Sequence, residues 1–154
     1  YRYSVLKKWT IKLWNKLDRF DEKTMFIAGA NLFVRKNTFN EIGRFDENIF
    51  MYYEEADIIR RIKKLDNENK ICFFKDIRMI HLEGKSTPSS LFSVKHEFES
   101  AEYFGKKYGL DYMKKIIFEY RYYKLKEFIY RFIDKEKSGI MKEIIDYLKA
   151  NYSL

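Results

Sequence analysis

Three carboxylates lie close together near the middle of this 154-residue chain. Glu54, Glu55 and Asp57 follow the aromatic run FMYY and open the segment EEADIIRRIKKL, whose spacing predicts a helix. Acids in the first turn of a helix offset the partial positive charge of its N-terminus, which is a structural role. Three acids in four residues also repel one another, and aromatic neighbours would raise a carboxyl pKa toward the range of a general base. A structural and a catalytic interpretation both stay open here.

Two further features of chemical interest come after a predicted strand. His81 ends the apolar run IRMIH, where it could bind a metal ion only if carboxylates from elsewhere joined it. Gly84, Lys85 and Ser86 come next; they lack the upstream glycine of a P-loop but could present backbone donors to a phosphate. A lone histidine at a strand end is more often structural, and the other histidine, His96, is interpreted in that way.

The chain divides by pattern into three segments. Residues 1–24 place apolar side chains at helical spacing with lysines opposite, which predicts an amphipathic helix. Residues 25–104 predict a mixed α/β unit, and residues 105–154 a basic, aromatic helical tail with a break near 137–139. Within the middle segment, strands are predicted at 25–35, 71–74 and 77–82, and helices at 38–42, 54–65 and 91–108. The predicted fold class is α/β, or α+β for a fragment, with a short mixed sheet followed by the helical tail.

Composition excludes several classes of protein. Hydrophobic residues make up 46% of the chain, too many for a disordered tail. One cysteine excludes an intramolecular disulfide framework and a Cys-rich zinc site. No stretch approaches the roughly 20 apolar residues of a membrane span, and lysines interrupt any apolar run of a signal peptide. The net charge of +8 comes from the two ends, because residues 25–104 hold 12 basic and 13 acidic side chains.

The basic tail has three interpretations. Its helices could pack their aromatic side chains in a bundle and leave the lysines solvated. An amphipathic helix with cations and aromatics could instead lie in a membrane interface. Nucleic acid could be bound by stacking and phosphate contacts, but no nucleic-acid motif supports this, and no nucleic-acid partner is expected. The aromatic residues concerned are Tyr112, Phe118, Tyr120, Tyr122, Tyr123, Phe128, Tyr130 and Phe132.

The order of the motifs resembles the C-terminal, acceptor-side half of family 2 glycosyltransferases, and especially their bacterial rhamnosyltransferase-like branch. The resemblance rests on FIAGANLFVRK, EIGRFDENIFMYYEEADIIRRI and IRMIHLEGKST, within residues 25–87. SAEYFGKKYG at 100–109 is similar to the segment that many members carry after these motifs. The resemblance implies the GT-A fold, with this chain as its C-terminal half.

The resemblance also implies a role for each matched residue. Glu55 takes the position of the general base, Glu54 that of the acid before it, and Asp57 that of the acid that supports the loop. The coordination of the metal, Mg²⁺ or Mn²⁺, would be completed by His81. Residues implied to bind substrate are Gly29 and Ala30 at the sugar pocket and Gly84, Lys85 and Ser86 over the diphosphate.

The sequence departs from the family pattern at three points. The base position, here Glu55, is more often aspartate, and Arg44 replaces a glycine of "IGGFDE". The larger departure is that no Asp-x-Asp metal motif occurs. We therefore expect this chain to be an incomplete fragment that transfers no sugar alone. The nucleotide-binding half, with further metal ligands, would lie in a missing N-terminal part.

The implied activity is an inverting glycosyltransferase in cell-surface polysaccharide synthesis. It would move a hexosyl or deoxyhexosyl group from a nucleotide-sugar donor to a hydroxyl of a glycan or lipid-linked acceptor. The expected location is cytoplasmic or peripheral on the inner face of the membrane, and residues 1–24 could pair with a second copy to form a homodimer. The alternative class is a non-catalytic basic helical module that binds membrane or nucleic acid. A glycoside hydrolase is disfavoured because adjacent glutamates cannot easily flank one bond.

Overall fold

A computed structural model describes residues 29, 32–66, 71–72, 74, 77 and 91–154 of the chain. The predicted helix of residues 1–24 lies outside the described residues. Within these residues the chain forms five α-helices, and the last three make up most of the described fold. The helices are α1 (Lys36–Glu41), α2 (Glu54–Leu65), α3 (Leu91–Tyr108), α4 (Met113–Ile133) and α5 (Lys135–Asn151).

The predicted mixed sheet is wrong. Residues 32–35, 71–72, 74 and 77 fall within the predicted strands, yet no described residue has strand structure. The described fold is therefore helical and is not the α/β C-terminal half of a GT-A domain. Short apolar runs look alike in a strand and in other buried segments, so periodicity could not separate them. A strand also needs a neighbouring strand to satisfy its backbone groups, which sequence spacing does not test.

Helix α1 ends in a tight turn. Gly43 and Arg44 both have left-handed backbone, with φ of 83° and 64°. Their N–H groups donate to the Asn40 and Phe39 carbonyls at 3.0 and 2.9 Å, which satisfies the end of the helix. Glycine adopts this backbone at little cost, whereas arginine is strained in it.

A glycine pair sets the turn between α3 and α4. Gly109 has φ of 63°, and Leu110 N donates to the Gly105 carbonyl at 2.8 Å, which closes the end of α3. Gly105 is buried, and a Cβ built there would lie 2.7 Å from the Cβ of Tyr112. Only glycine therefore allows Tyr112 to pack so closely against α3 at the start of α4.

The break between α4 and α5 lies at Asp134 and not at the predicted residues 137–139, which are helical. Asp134 has an extended backbone, and its side chain accepts a hydrogen bond from Lys137 N at 3.1 Å. Aspartate is a favoured N-cap residue because it satisfies a backbone donor at the start of the helix. Gly139, the last residue of the predicted break, lies inside α5.

One apolar core joins α3, α4 and α5. Leu148 and Ile116 are fully buried within it, and Phe98 is 2% exposed. Helix α5 packs along α4 and also contacts α3, so this core is the interior of a three-helix unit. Its buried members are Val94, Phe98, Ile116, Tyr123, Ile144, Ile145, Leu148 and Tyr152.

Candidate functional site at the start of helix α2

The structure brings Gly29, Glu54 and Glu55 together. The Glu55 carboxylate accepts backbone hydrogen bonds from Gly29 and from its own N–H. A Cβ built on Gly29 would lie 3.7 Å from Glu54 Oε1, so the backbone of Gly29 borders both acids. Oε2 of Glu54 and of Glu55 is buried, and neither atom has a hydrogen-bond partner in the described part of the chain. The site thus presents two acceptor atoms that no described side chain uses.

The environment of Glu55 favours its protonated form. Burial raises the pKa of this carboxyl group, and the negative charge of Glu54 raises it further. The two backbone hydrogen bonds lower the pKa but do not cancel that effect. A carboxyl group with a raised pKa is better matched to proton transfer near neutral pH than an ordinary glutamate.

Asp57 has a different environment, although it lies only two residues further along α2. Its side chain is 1% exposed and accepts hydrogen bonds from Lys107 Nζ at 2.5 Å, Tyr108 OH at 2.7 Å and Arg61 Nε at 2.7 Å. Burial alone would raise the pKa of Asp57, but these hydrogen bonds and the Arg61 charge hold it below its ordinary value. Asp57 is a paired anion that ties α2 to α3, and it is not available as a base.

The loop that enters α2 is strained and is held in place by α3 and α4. Tyr52 and Tyr53 have φ of 66° and 71°, a left-handed backbone that costs roughly 1–2 kcal/mol for a non-glycine residue. Ser100 Oγ donates to the Met51 carbonyl at 2.7 Å. Lys115 Nζ from α4 donates to Tyr53 OH at 2.9 Å, and the Tyr53 ring packs on a phenylalanine of α3 at 5.1 Å between centroids. Strain that is held by several contacts often marks a functional segment.

A second anchor lies at the other end of the same loop. Asp46 accepts hydrogen bonds from Tyr103 OH at 2.8 Å and from Lys107 Nζ at 2.7 Å. Lys107 therefore bridges Asp46 and Asp57. Burial raises the pKa of Asp46, but the hydrogen bonds from Lys107, Asn48 and Tyr103 outweigh it and lower the pKa far below its ordinary value. Both ends of the loop are thus fixed to α3, and the loop presents Glu54 and Glu55 from a defined backbone.

The predicted metal site is not formed by the residues described. No group of three His, Cys, Asp or Glu side chains that could hold a metal ion occurs among them. The remaining predicted site residues lie outside the described residues: Ala30, His81, Gly84, Lys85 and Ser86. The divalent cation stays a prediction that depends on those residues and on further ligands.

Sequence reasoning missed the residues that hold the site. Arg61 was predictable in principle, because it lies four residues after Asp57 on the same helix face. Lys107, Tyr108 and Lys115 had no local signal, since each contact joins residues 50 or more positions apart in the chain. Only the packing of α3 and α4 against the loop brings them to the site.

The chain matches no known family model, no curated protein and no solved structure. Function must therefore be argued from the site itself. In the part of the chain that the structure describes, no helix combines the length and apolar character that crossing a membrane requires.

Proposed function

We propose that this chain supplies the general base of an inverting glycosyltransferase, and that the base is Glu55. The proposal rests on the environment of the Glu55 carboxyl group. One side of it is held by the Gly29 backbone, its other oxygen is buried without a partner in the described residues, and its pKa is raised. A positioned base needs this combination of a fixed orientation, a free acceptor atom and a matched pKa.

The proposed step is a single displacement at the anomeric carbon of a nucleotide-activated hexose or deoxyhexose. Glu55 takes the proton from an acceptor hydroxyl as that oxygen forms a bond to the anomeric carbon. The bond from that carbon to the diphosphate breaks on the opposite face, and the nucleoside diphosphate leaves with the electron pair. One displacement inverts the configuration, so no covalent sugar–enzyme intermediate forms.

The other described residues position the base. The Gly29 N–H orients the Glu55 carboxylate, and the charge of Glu54 helps to keep its pKa high. Asp57, through Lys107 and Tyr108, fixes the start of α2 against α3. The described residues do not form a metal site, so no step is assigned to a cation. A nucleotide-sugar donor suits a cytoplasmic enzyme, and a lipid-linked acceptor would suit one peripheral on the inner face of the membrane.

The test is Glu55→Gln in the full-length protein, because the amide keeps the size of the side chain but cannot accept the proton. We expect the turnover of a panel of nucleotide-activated hexoses and deoxyhexoses to fall by about a hundredfold or more. Release of nucleoside diphosphate measures turnover, and equilibrium binding of the donor should change little.

The matched control is Glu47→Gln, which changes an exposed glutamate in the same loop. That variant should keep wild-type turnover. Near-normal turnover in Glu55→Gln would exclude Glu55 as the base. Absence of nucleoside diphosphate release from every donor by the wild-type full-length protein would exclude the transferase itself.

A further inference from the structure

Helix α4 buries one face and leaves the opposite face open. Ile116, Glu119 and Tyr123 point into the bundle and are at most 4% exposed. Five large apolar side chains lie on the other side of the helix at spacings of one, three, four and seven residues. Their exposed fractions run from 46% for Ile129 to 73% for Phe132. We call them the α4 apolar face: Phe118, Leu125, Phe128, Ile129 and Phe132.

The α4 apolar face is densest from Leu125 to Phe132 and is borne by a fixed helix. Phe128 and Phe132 pack edge to face, with ring centroids 5.4 Å apart. From Phe118 to Phe132 the face extends over 14 residues, or about 21 Å of helix. Its opposite side packs on α5, so the face does not need to fold before it can bind. Several large exposed apolar side chains on one face of a helix often mark an interaction site.

The charges beside this face are cationic. Arg121 and Lys124 are exposed within the same stretch and have no acidic partner among the described residues. The two acids of α4 do not oppose them. Glu119 is 4% exposed, and Glu127 accepts hydrogen bonds on both its oxygens from Arg131 Nη2 at 2.9 Å. The face therefore combines apolar side chains with positive charge and presents no unpaired acid in the described structure.

We infer that the α4 apolar face binds the surface of an anionic lipid bilayer. The five side chains would enter the boundary between headgroups and acyl chains, with the helix parallel to the membrane plane. Arg121 and Lys124 would then lie at the level of the lipid phosphates, where each cation adds to the attraction. This inference does not depend on the transfer chemistry, because none of these residues belongs to the site at α2.

Two other occupants fit the face less well. A second copy placed symmetrically on this face would cover Arg121 and Lys124 of both copies with a surface that offers no unpaired acid among its described residues, which costs free energy. A single-stranded nucleic acid would need a row of cations along its backbone, but the face offers two beside five apolar side chains. Leu125 and Ile129 also offer no ring on which a base could stack.

The experiment is flotation of the 154-residue chain with lipid vesicles. Vesicles of phosphatidylcholine mixed with phosphatidylglycerol should carry the protein upward, and vesicles of phosphatidylcholine alone should carry much less. The double variant Phe128→Ser, Phe132→Ser should bind the anionic vesicles at least about tenfold more weakly, since it removes two rings that would be buried in the bilayer. The double variant Arg121→Gln, Lys124→Gln should lose roughly fivefold for each cation removed.

The matched control is Phe33→Ser, which removes an 84% exposed phenylalanine that lies outside α4. It should leave vesicle binding unchanged, and circular dichroism should show wild-type helix content in every variant. The inference is overturned if wild-type protein does not float with anionic vesicles, or if the phenylalanine variant floats equally well. It is also overturned if that variant instead abolishes salt-sensitive binding to single-stranded DNA, or dissociates a dimer that forms without lipid.

Discussion

Two carboxyl groups in the first turn of α2 have opposite properties, and their partners explain why. Glu55 has backbone donors but no cation among the described residues, so burial dominates and its pKa is raised. Asp57 has almost no exposed side-chain surface, yet Lys107, Tyr108 and Arg61 lower its pKa. Burial raises the pKa of both carboxyl groups. Only Asp57 has cationic hydrogen-bond donors in the described part of the chain, and its hydrogen bonds lower its pKa by more than burial raises it. At the scale of the residue, this contrast separates a candidate base from an anchor.

The Asp57→Asn variant tests the anchor. Asparagine removes the buried negative charge that faces Arg61 and Lys107, and among the described residues only Lys107 keeps another acid, Asp46, as a partner. We therefore expect a loss of roughly 3 kcal/mol in the free energy of unfolding at pH 7. Because the folded-state pKa of Asp57 lies below its ordinary value of 3.8, the carboxylate stabilises the fold above that pH. Its contribution is lost as the pH falls through the folded-state value.

Urea unfolding of wild type and Asp57→Asn should therefore converge as the pH is lowered below 3.8. Asp111→Asn is the control, because Asp111 also pairs with a lysine but is 52% exposed. That variant should unfold almost as the wild type does. A difference between wild type and Asp57→Asn that stayed constant down to the most acid pH would show that the loss is not electrostatic.

Sequence could predict the residues of the site better than their surroundings. The acids at 54, 55 and 57 were singled out by type and spacing, and the structure places Glu54 and Glu55 beside Gly29, a residue that the resemblance assigned to the same site. Of the two cations that hold Asp57, Arg61 lies on α2 itself, but Lys107 comes from α3, and no periodicity within α2 indicates it. Long-range partners of buried charges depend on packing, which composition and spacing do not contain.

At the scale of the element, long amphipathic patterns were predictable and short apolar runs were not. Helix α2 begins and ends where its acidic first turn and basic last turn predicted, and α3 spans the predicted residues 91–108. The described residues of the predicted strands have no strand structure, because short apolar runs fit several kinds of burial. The break before α5 was misplaced because a capping aspartate, and not the glycine, decides where the helix begins.

The Glu119→Gln variant tests the packing of α4. Glu119 is 4% exposed, and its Oε2 has no hydrogen-bond partner in the described residues. Burial and the nearby Glu97 charge raise its pKa above the ordinary 4.5, more than the Lys115 charge lowers it. The ionised form therefore destabilises the fold increasingly as the pH rises from 4.5 through the folded-state pKa. Glutamine removes that charge at constant size.

We expect thermal unfolding of Glu119→Gln to occur a few degrees above the wild type at pH 7, and at the same temperature below pH 4.5. Glu143→Gln changes an exposed glutamate on α5 and should have little effect at either pH. A lower melting temperature for Glu119→Gln at pH 7 would mean that the attraction of Lys115 outweighs the cost of burying the charge.

At the scale of the whole molecule, the site and the three-helix unit are joined by two lysines. Lys107 connects α3 to Asp46 and Asp57, and Lys115 connects α4 to Tyr53 and, at 2.8 Å, to a glutamate of α3. The tail predicted as a separate basic segment therefore holds the loop that presents the two glutamates of the site. The cations of the tail therefore fall into two groups. Lys107 and Lys115 pair with acidic side chains, whereas Arg121 and Lys124 of α4 stay exposed.

A matched pair of leucines tests whether the described fold unfolds as one unit. Leu148 on α5 is fully buried in the core, and Leu125 on α4 is 57% exposed. Leu148→Ala should lower the free energy of unfolding by about 2–5 kcal/mol, because it leaves a cavity between three helices. Leu125→Ala should change it by less than about 0.5 kcal/mol, although that variant should weaken vesicle binding.

Because the lysine bridges join the loop to the bundle, both variants should show one transition by far-UV circular dichroism and by tyrosine fluorescence. A single cooperative unit would be supported if the unfolding curves from the two probes coincide in each variant and only Leu148→Ala unfolds more easily than the wild type. If hydrogen exchange of the loop amides of residues 46–53 showed opening at a lower denaturant concentration than exchange of the α4 and α5 amides, the loop would unfold independently of the bundle. In that case the core could not be what holds the Glu55 carboxyl group in its orientation.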